Sequence, residues 1–165
     1  MSEQRSVQTL FEYAIAAEHY AEEAYRTFAR MFAVDPRVVA FWQRYAAEEL
    51  GHATWLERVL AKLPPETRDA PADFNKLETA RHMIKIPLAE VLAEVETLDE
   101  AYQLANELES SEVNTIFEFL LSTFSTDPQA TEFALNQLSD HATRLFEEFP
   151  APYTDVPHRR ALHAG

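Results

Sequence analysis

Glu49 and His52 lie three residues apart in the stretch Tyr45-Ala-Ala-Glu-Glu-Leu-Gly-His-Ala-Thr-Trp-Leu56. On a helix this spacing puts both side chains on one face, one turn apart. Tyr45, Leu56 and Val59 fall on the same face, so it is expected to look inward. A carboxylate and an imidazole on a core stripe need a partner, because an unpaired buried charge is strongly unfavourable. A metal ion is one such partner. A core histidine beside a solvated glutamate is the plainer alternative.

Four further residues share this character. Glu18 is flanked by small and aromatic residues, with Phe11, Tyr25 and Phe32 on its stripe. Glu109 and Glu112 interrupt the apolar stripe Ala101, Ala105, Ile116, Phe119 or Leu120, Thr123. Rotating that stripe to Leu104, Leu108 and Val113 would leave both glutamates in water, and the sequence leaves this open. His141 stands within Ala134, Leu138, Leu145 and Glu148 or Phe149. Glu18 precedes His52 by nearly the interval that separates Glu109 from His141, as a pseudo-symmetric site requires.

Long helices must position these groups. The seam Val7, Leu10, Ala14, Ala17, Ala21, Ala24, Phe28, Met31 alternates steps of three and four and predicts a first helix over about 6–31. Asp35-Pro36 supplies an N-cap and a first-turn proline for a second, over about 36–62. Pro64-Pro65 ends it. A long connection follows, with short helices expected within 73–86 and 87–96. Thr97-Leu-Asp-Glu100 matches the capping box and opens a third helix over about 98–124. Asp127-Pro128 opens the fourth, over about 128–148. The expected fold is all-α, an antiparallel four-helix bundle spanning 1–149, with an irregular tail over 150–165 that carries Pro150, Pro152, Pro157, His158 and His163.

Composition narrows the function classes. At 165 residues, one domain is the default. Two glycines and many alanines and glutamates favour helix. The net charge of −14 disfavours nucleic acid and anionic membrane as partners. With no cysteine, disulfides, thiolate zinc sites and cysteine nucleophiles are excluded. No apolar run is long enough for a membrane span, and the N-terminus has no signal-peptide pattern, so a cytoplasmic protein is the simplest expectation. The aromatics Phe41, Trp42, Trp55, Phe117, Phe119 and Phe124 exceed what a thin helical core needs and lead to the expectation of a homodimer.

A Glu from each of two helices with a Glu-x-x-His from each of the others is the di-iron carboxylate scheme. The chain resembles the rubrerythrin branch of the ferritin-like superfamily over about residues 6–148. The resemblance rests on Glu49 to His52, on Ala-Ala-Glu-His-Tyr around Glu18, and on the run Leu98 to Glu112. It implies Glu18, Glu49, His52, Glu109, Glu112 and His141 as ligands to two iron ions, with manganese or zinc as alternatives. It also implies redox handling of iron, dioxygen or peroxide, as a peroxidase- or ferroxidase-like oxidoreductase. Two departures stand out. The family's second Glu-x-x-His needs Glu at 138, where this chain has Leu138. Rubrerythrins proper also carry a four-cysteine iron domain, and with no cysteine in this chain an external electron donor is expected. The competing expectation is a degenerate bundle used as a structural or interaction module. A single-zinc hydrolase is a third possibility, with no recognisable substrate pocket to support it. Tyr20, Tyr25, Tyr45 and Tyr102 are expected in the core, or beside the site as a relay.

Overall fold

The computed structural model describes residues 5–109 and 112–148. Its helices start where the caps predict. Ser6 accepts a hydrogen bond from the Thr9 amide and opens α1, Val7–Met31. Asp35 accepts from the Arg37 amide at 2.9 Å and opens α2, Pro36–Lys62. Thr97 and Glu100 cap each other reciprocally, at 3.1 and 3.2 Å, at the start of α6, Leu98–Glu109. Asp127 accepts from the Ala130 amide at 3.0 Å and opens α8, Pro128–Glu148. Each cap satisfies an amide that the first helical turn leaves without a partner. Where the sequence predicts one third long helix, the described residues form α6 and α7, Glu112–Phe124, on either side of residues 110 and 111. The expected tail over 150–165 lies outside the described residues.

The connection between α2 and α6 holds three short helices: α3 (Pro65–Asp69), α4 (Phe74–Met83) and α5 (Leu88–Ala93). The sequence predicts the last two. It reads Pro64-Pro65 only as a breaker, but Pro65 sits in the first turn of α3, where proline's missing amide costs nothing. The connection packs along the flank of α1: Leu77 and Ala80 of α4 join one core cluster, while Leu88 and Leu92 of α5 border the other. It is also tied to the chain start, with the Val7 amide donating to Ala70 O and the Ala72 amide to Arg5 O, both at 2.9 Å. The chain is all-α among the described residues. The only extended pairing there is an isolated bridge between Ser6 and Pro71. None of the described helices is long and apolar enough to cross a membrane.

The helices enclose two apolar clusters. One gathers Tyr25, Phe28, Trp42, Tyr45, Tyr102 and Leu145. The other gathers Leu10, Phe11, Leu56, Phe117, Leu120 and Leu138. Burial of each large side chain stabilises the fold by roughly 1.5–3 kcal/mol. Along α1 the second cluster uses Val7 to Ala14 and the first uses Ala21 to Ala29, with Glu18 between them. Along α2 the same gap contains Glu49 and His52, and along α8 it contains His141. A polar layer is therefore closed above and below by apolar side chains.

Some expectations about helix faces are corrected. Met31 ends the first seam but is 41% exposed, because its helix runs out beyond the partner that would cover it. Thr123 is exposed, while Phe117 and Leu121 are buried. The inward stripe of α7 is therefore Ile116, Phe117, Leu120 and Leu121. On α6 the open choice resolves toward Ala101, Ala105 and Glu109, which are buried, with Leu104 and Leu108 only partly so. Phe41, Trp42 and Phe117 are buried within this chain, and Trp55, Phe119 and Phe124 pack against the second cluster. Within this chain these six aromatics are therefore either buried or partly buried against a core cluster. Glu148 is exposed and pairs with Arg44.

Candidate metal centre

Five of the six sequence candidates converge. Glu18, Glu49, His52, Glu109 and His141 are each at most 4% exposed. They come from α1, α2, α6 and α8. The sixth, Glu112, begins α7, and its side chain lies outside the described residues.

Glu49 stands at the centre. The Nδ1 of His52 is 3.6 Å from Glu18 Oε2 and 3.8 Å from Glu49 Oε2. The Nδ1 of His141 is 3.4 Å from Glu49 Oε1 and 3.5 Å from Glu109 Oε2. The two oxygens of Glu49 thus face two different half-sites, each completed by one imidazole nitrogen and one further carboxylate. Glu49, His52 and His141 offer ligand atoms within 4.8 Å of one another.

These contacts are not hydrogen bonds. Glu18 Oε1, Glu49 Oε1, His52 Nδ1 and both ring nitrogens of His141 are buried with no hydrogen-bond partner. Buried polar atoms are normally satisfied, so two orphaned imidazole nitrogens facing carboxylate oxygens indicate a missing partner. Two donors on one ion, each about 2.1 Å from it, stand roughly 3.0–3.4 Å apart. The observed spacings need only a few tenths of an ångström of adjustment. Mixed carboxylate and imidazole donors suit iron, manganese or zinc. The residues fit a metal group.

The electrostatics agree with the geometry. Burial, reinforced by the charges of Glu109 and Glu18, holds the Glu49 carboxyl well above the usual carboxylate range. Burial raises Glu109 to about 7, against an opposing hydrogen bond from Tyr25. Burial pulls His52 down, but the close approach and charge of the Glu18 carboxylate, with the charge of Glu109, outweigh it, leaving His52 above its ordinary value. Burial lowers His141 to about 3, helped by the charges of His52 and Arg144. Without a cation, this layer keeps protons on carboxyls that would be ionised in water.

Four residues around the site lie outside the ligand set that the sequence suggests. Tyr25 donates a short hydrogen bond to Glu109 Oε1, leaving Oε2 toward His141. Gln137 Oε1 lies 3.2 Å from His52 Nε2. Glu48 Oε2 lies 3.2 Å from His141 Nε2, and Arg144 holds Glu48 with bonds of 2.7 and 3.4 Å. Of these, the sequence singles out only Tyr25, and only as a core residue or a neighbour of the site. Tyr45 donates to the backbone carbonyl of His141 at 3.0 Å, and its ring lies 4.6 Å from the imidazole. Tyr20 instead donates to Ile86 O near the surface. Leu138 packs in the second apolar cluster. The polar side chain that α8 turns inward one turn before His141 is Gln137, and Asp140 is exposed.

A protein-family model described as Rubrerythrin matches residues 9–123, more than half of the chain. No curated protein and no solved structure matches it.

Proposed function

The chain belongs to the rubrerythrin family, and from that premise we propose that its polar layer is a di-metal centre, with iron in both positions, inside a ferritin-like four-helix bundle formed by α1, α2, α6–α7 and α8. One observation carries this reading. The Nδ1 atoms of His52 and His141 are buried without hydrogen bonds, and each faces a different oxygen of Glu49. Glu18, Glu49 and His52 would hold one ion, and Glu49, Glu109 and His141 the other. Glu112 is proposed as a fourth carboxylate, which would balance the charge of two divalent cations.

Iron bound here would exchange electrons with dioxygen or a peroxide. The protein's own part is to hold the donors in place. The apolar clusters above and below exclude water, which strengthens every electrostatic interaction in the layer. Tyr25 keeps its proton, because burial and the Glu109 charge hold its hydroxyl well above the usual range, and so it remains a donor to Glu109. Burial also raises Tyr45, which anchors the backbone of α8 at His141. The proposed activity is that of an oxidoreductase of peroxidase or ferroxidase type, with electrons supplied by a separate donor.

Metal per chain after anaerobic loading with ferrous ion tests the reading. Close to two ions are expected in the native protein, falling to about one or fewer in His52→Ala. A native chain that takes up no iron would overturn the proposal and leave a family member that uses the fold as a structural or interaction module.

A further inference from the structure

The two histidines are backed by different groups. Behind His52 stands the neutral amide of Gln137, with Oε1 at 3.2 Å from Nε2. Behind His141 stands the carboxylate of Glu48, with Oε2 at 3.2 Å from Nε2. Glu48 precedes the shared Glu49 on α2 but reaches toward α8. Arg144, one turn beyond His141 on α8, grips its Oε1 at 2.7 Å and approaches Oε2 at 3.4 Å. The His141 imidazole is fully buried and the Glu48 side chain is only 14% exposed. The contact is an ion-pair approach at 3.2 Å, with the ring N–H off the line to the oxygen.

The geometry points to Glu48, held by Arg144, as the positioning residue for His141: it keeps the ring proton on Nε2 and so presents Nδ1 to the His141 half-site as a strong donor, making the two halves unequal. An imidazole can offer a lone pair at only one nitrogen when neutral, and the group at the other nitrogen decides which. A carboxylate in that place fixes the tautomer and the ring orientation and strengthens the nitrogen as a ligand, whereas an amide does so less. Losing such a partner typically weakens metal binding 10–100-fold. The His141 half is therefore the tighter of the two. This rests on the metal reading above and adds to it an order of filling.

Cobalt(II) titration of the apo full-length chain, followed by visible absorption, tests it. Two binding steps are expected. In Glu48→Ala the tighter step weakens 10–100-fold, while the step lost in His52→Ala keeps its midpoint. Glu48→Gln, which retains an oxygen acceptor for Nε2, falls between native and Glu48→Ala. In a His141→Ala background, Glu48→Ala produces no further loss, because its effect passes through His141. Nitrogen-15 spectra of labelled histidine in the apo protein add a readout that a merely structural role would not move: Glu48→Ala removes the Nε2–H preference of the ring assigned by His141→Ala. Thermal melts of the apo variants confirm that they fold. Equal weakening of both steps, an unchanged tight step, or additive losses in the double variant overturns the inference and leaves the metal centre standing. A native chain that binds no cobalt overturns both.

Discussion

Replacing Glu49 with Gln is expected to abolish metal uptake and to lower the melting temperature of the metal-loaded protein by roughly 10–20 °C. The size follows from the sharing of Glu49 between both half-sites, through Oε2 on the His52 side and Oε1 on the His141 side. An amide cannot serve two cations as a carboxylate does, so one substitution empties both positions. A cation present at about a hundred times its dissociation constant stabilises the folded state by about 2.7 kcal/mol. In a domain of this size each kcal/mol moves the midpoint by about 2–4 °C. Without metal the sign reverses. Glu49 then crowds Glu18 and Glu109 in a buried layer, and a neutral isostere relieves that repulsion, so the apo variant melts no lower than apo native protein. Metal analysis together with melts in the presence and absence of chelator checks both halves. Native metal content in Glu49→Gln would sink the bridging role.

The second large effect concerns pH. Burial raises the Glu109 carboxyl from 4.5 to about 7 in the folded protein. Between those values the folded state binds a proton that the unfolded state has released. Stability contributed by this group is therefore fully present below about pH 4.5, is lost as pH rises, and has gone above about pH 7. Each pH unit across which one state holds a proton that the other has lost changes stability by about 1.4 kcal/mol, so the loss across the window is roughly 3 kcal/mol. Glu109→Gln carries no titrating proton there. In chelator, the stability difference between variant and native should grow by about 3 kcal/mol in the variant's favour from pH 4.5 to 7 and then level off. Urea denaturation at half-unit pH steps measures it. A difference that is flat over this range would mean that Glu109 ionises freely and that the layer is wetter than its burial implies. If the layer binds metal as proposed, the preference inverts, because the ionised carboxylate would be the ligand and the amide variant would become the less stable of the two.

The helix starts are legible in the sequence because each is written in local chemistry: Ser6, Asp35-Pro36, Thr97 with Glu100, and Asp127-Pro128 act on amides within a few residues. Glu18, Glu49, His52, Glu109 and His141 are legible because each interrupts an apolar stripe of helical period. Met31 and Thr123 mislead at helix ends, where periodicity persists but the covering neighbour does not. Glu48 and Gln137 stay hidden for another reason. Each lies beside an inward stripe rather than on it, and its partner belongs to a different helix. No local pattern announces a contact between Glu48 and Arg144, which meet only when α2 and α8 pack together. Leu138 reads as a gap in a motif, whereas the structure places it in the apolar layer and gives the inward polar position to Gln137.

The way the polar layer is divided along the chain has a consequence for how it comes into being. Glu18, Glu49 and His52 all belong to α1 and α2, which lie antiparallel across a short turn, with Tyr25 against Trp42 and Glu18 against His52. Contacts this local in sequence form early, because little loop entropy is lost in closing them. Glu109 and His141 arrive only after the chain has crossed the whole connection and returned on α6 and α8. An α1–α2 hairpin formed ahead of the rest would present Glu18, Glu49 and His52 together with one side of the layer open. On the di-metal reading proposed above, metal captured by that hairpin would be held by the half of the centre inferred to be the weaker in the finished protein, and completion of the fold would transfer the advantage to the other half. Refolding with cobalt present, read by absorption against tyrosine and tryptophan emission, would expose that exchange as a colour change that precedes final packing; colour developing only after packing would rule it out.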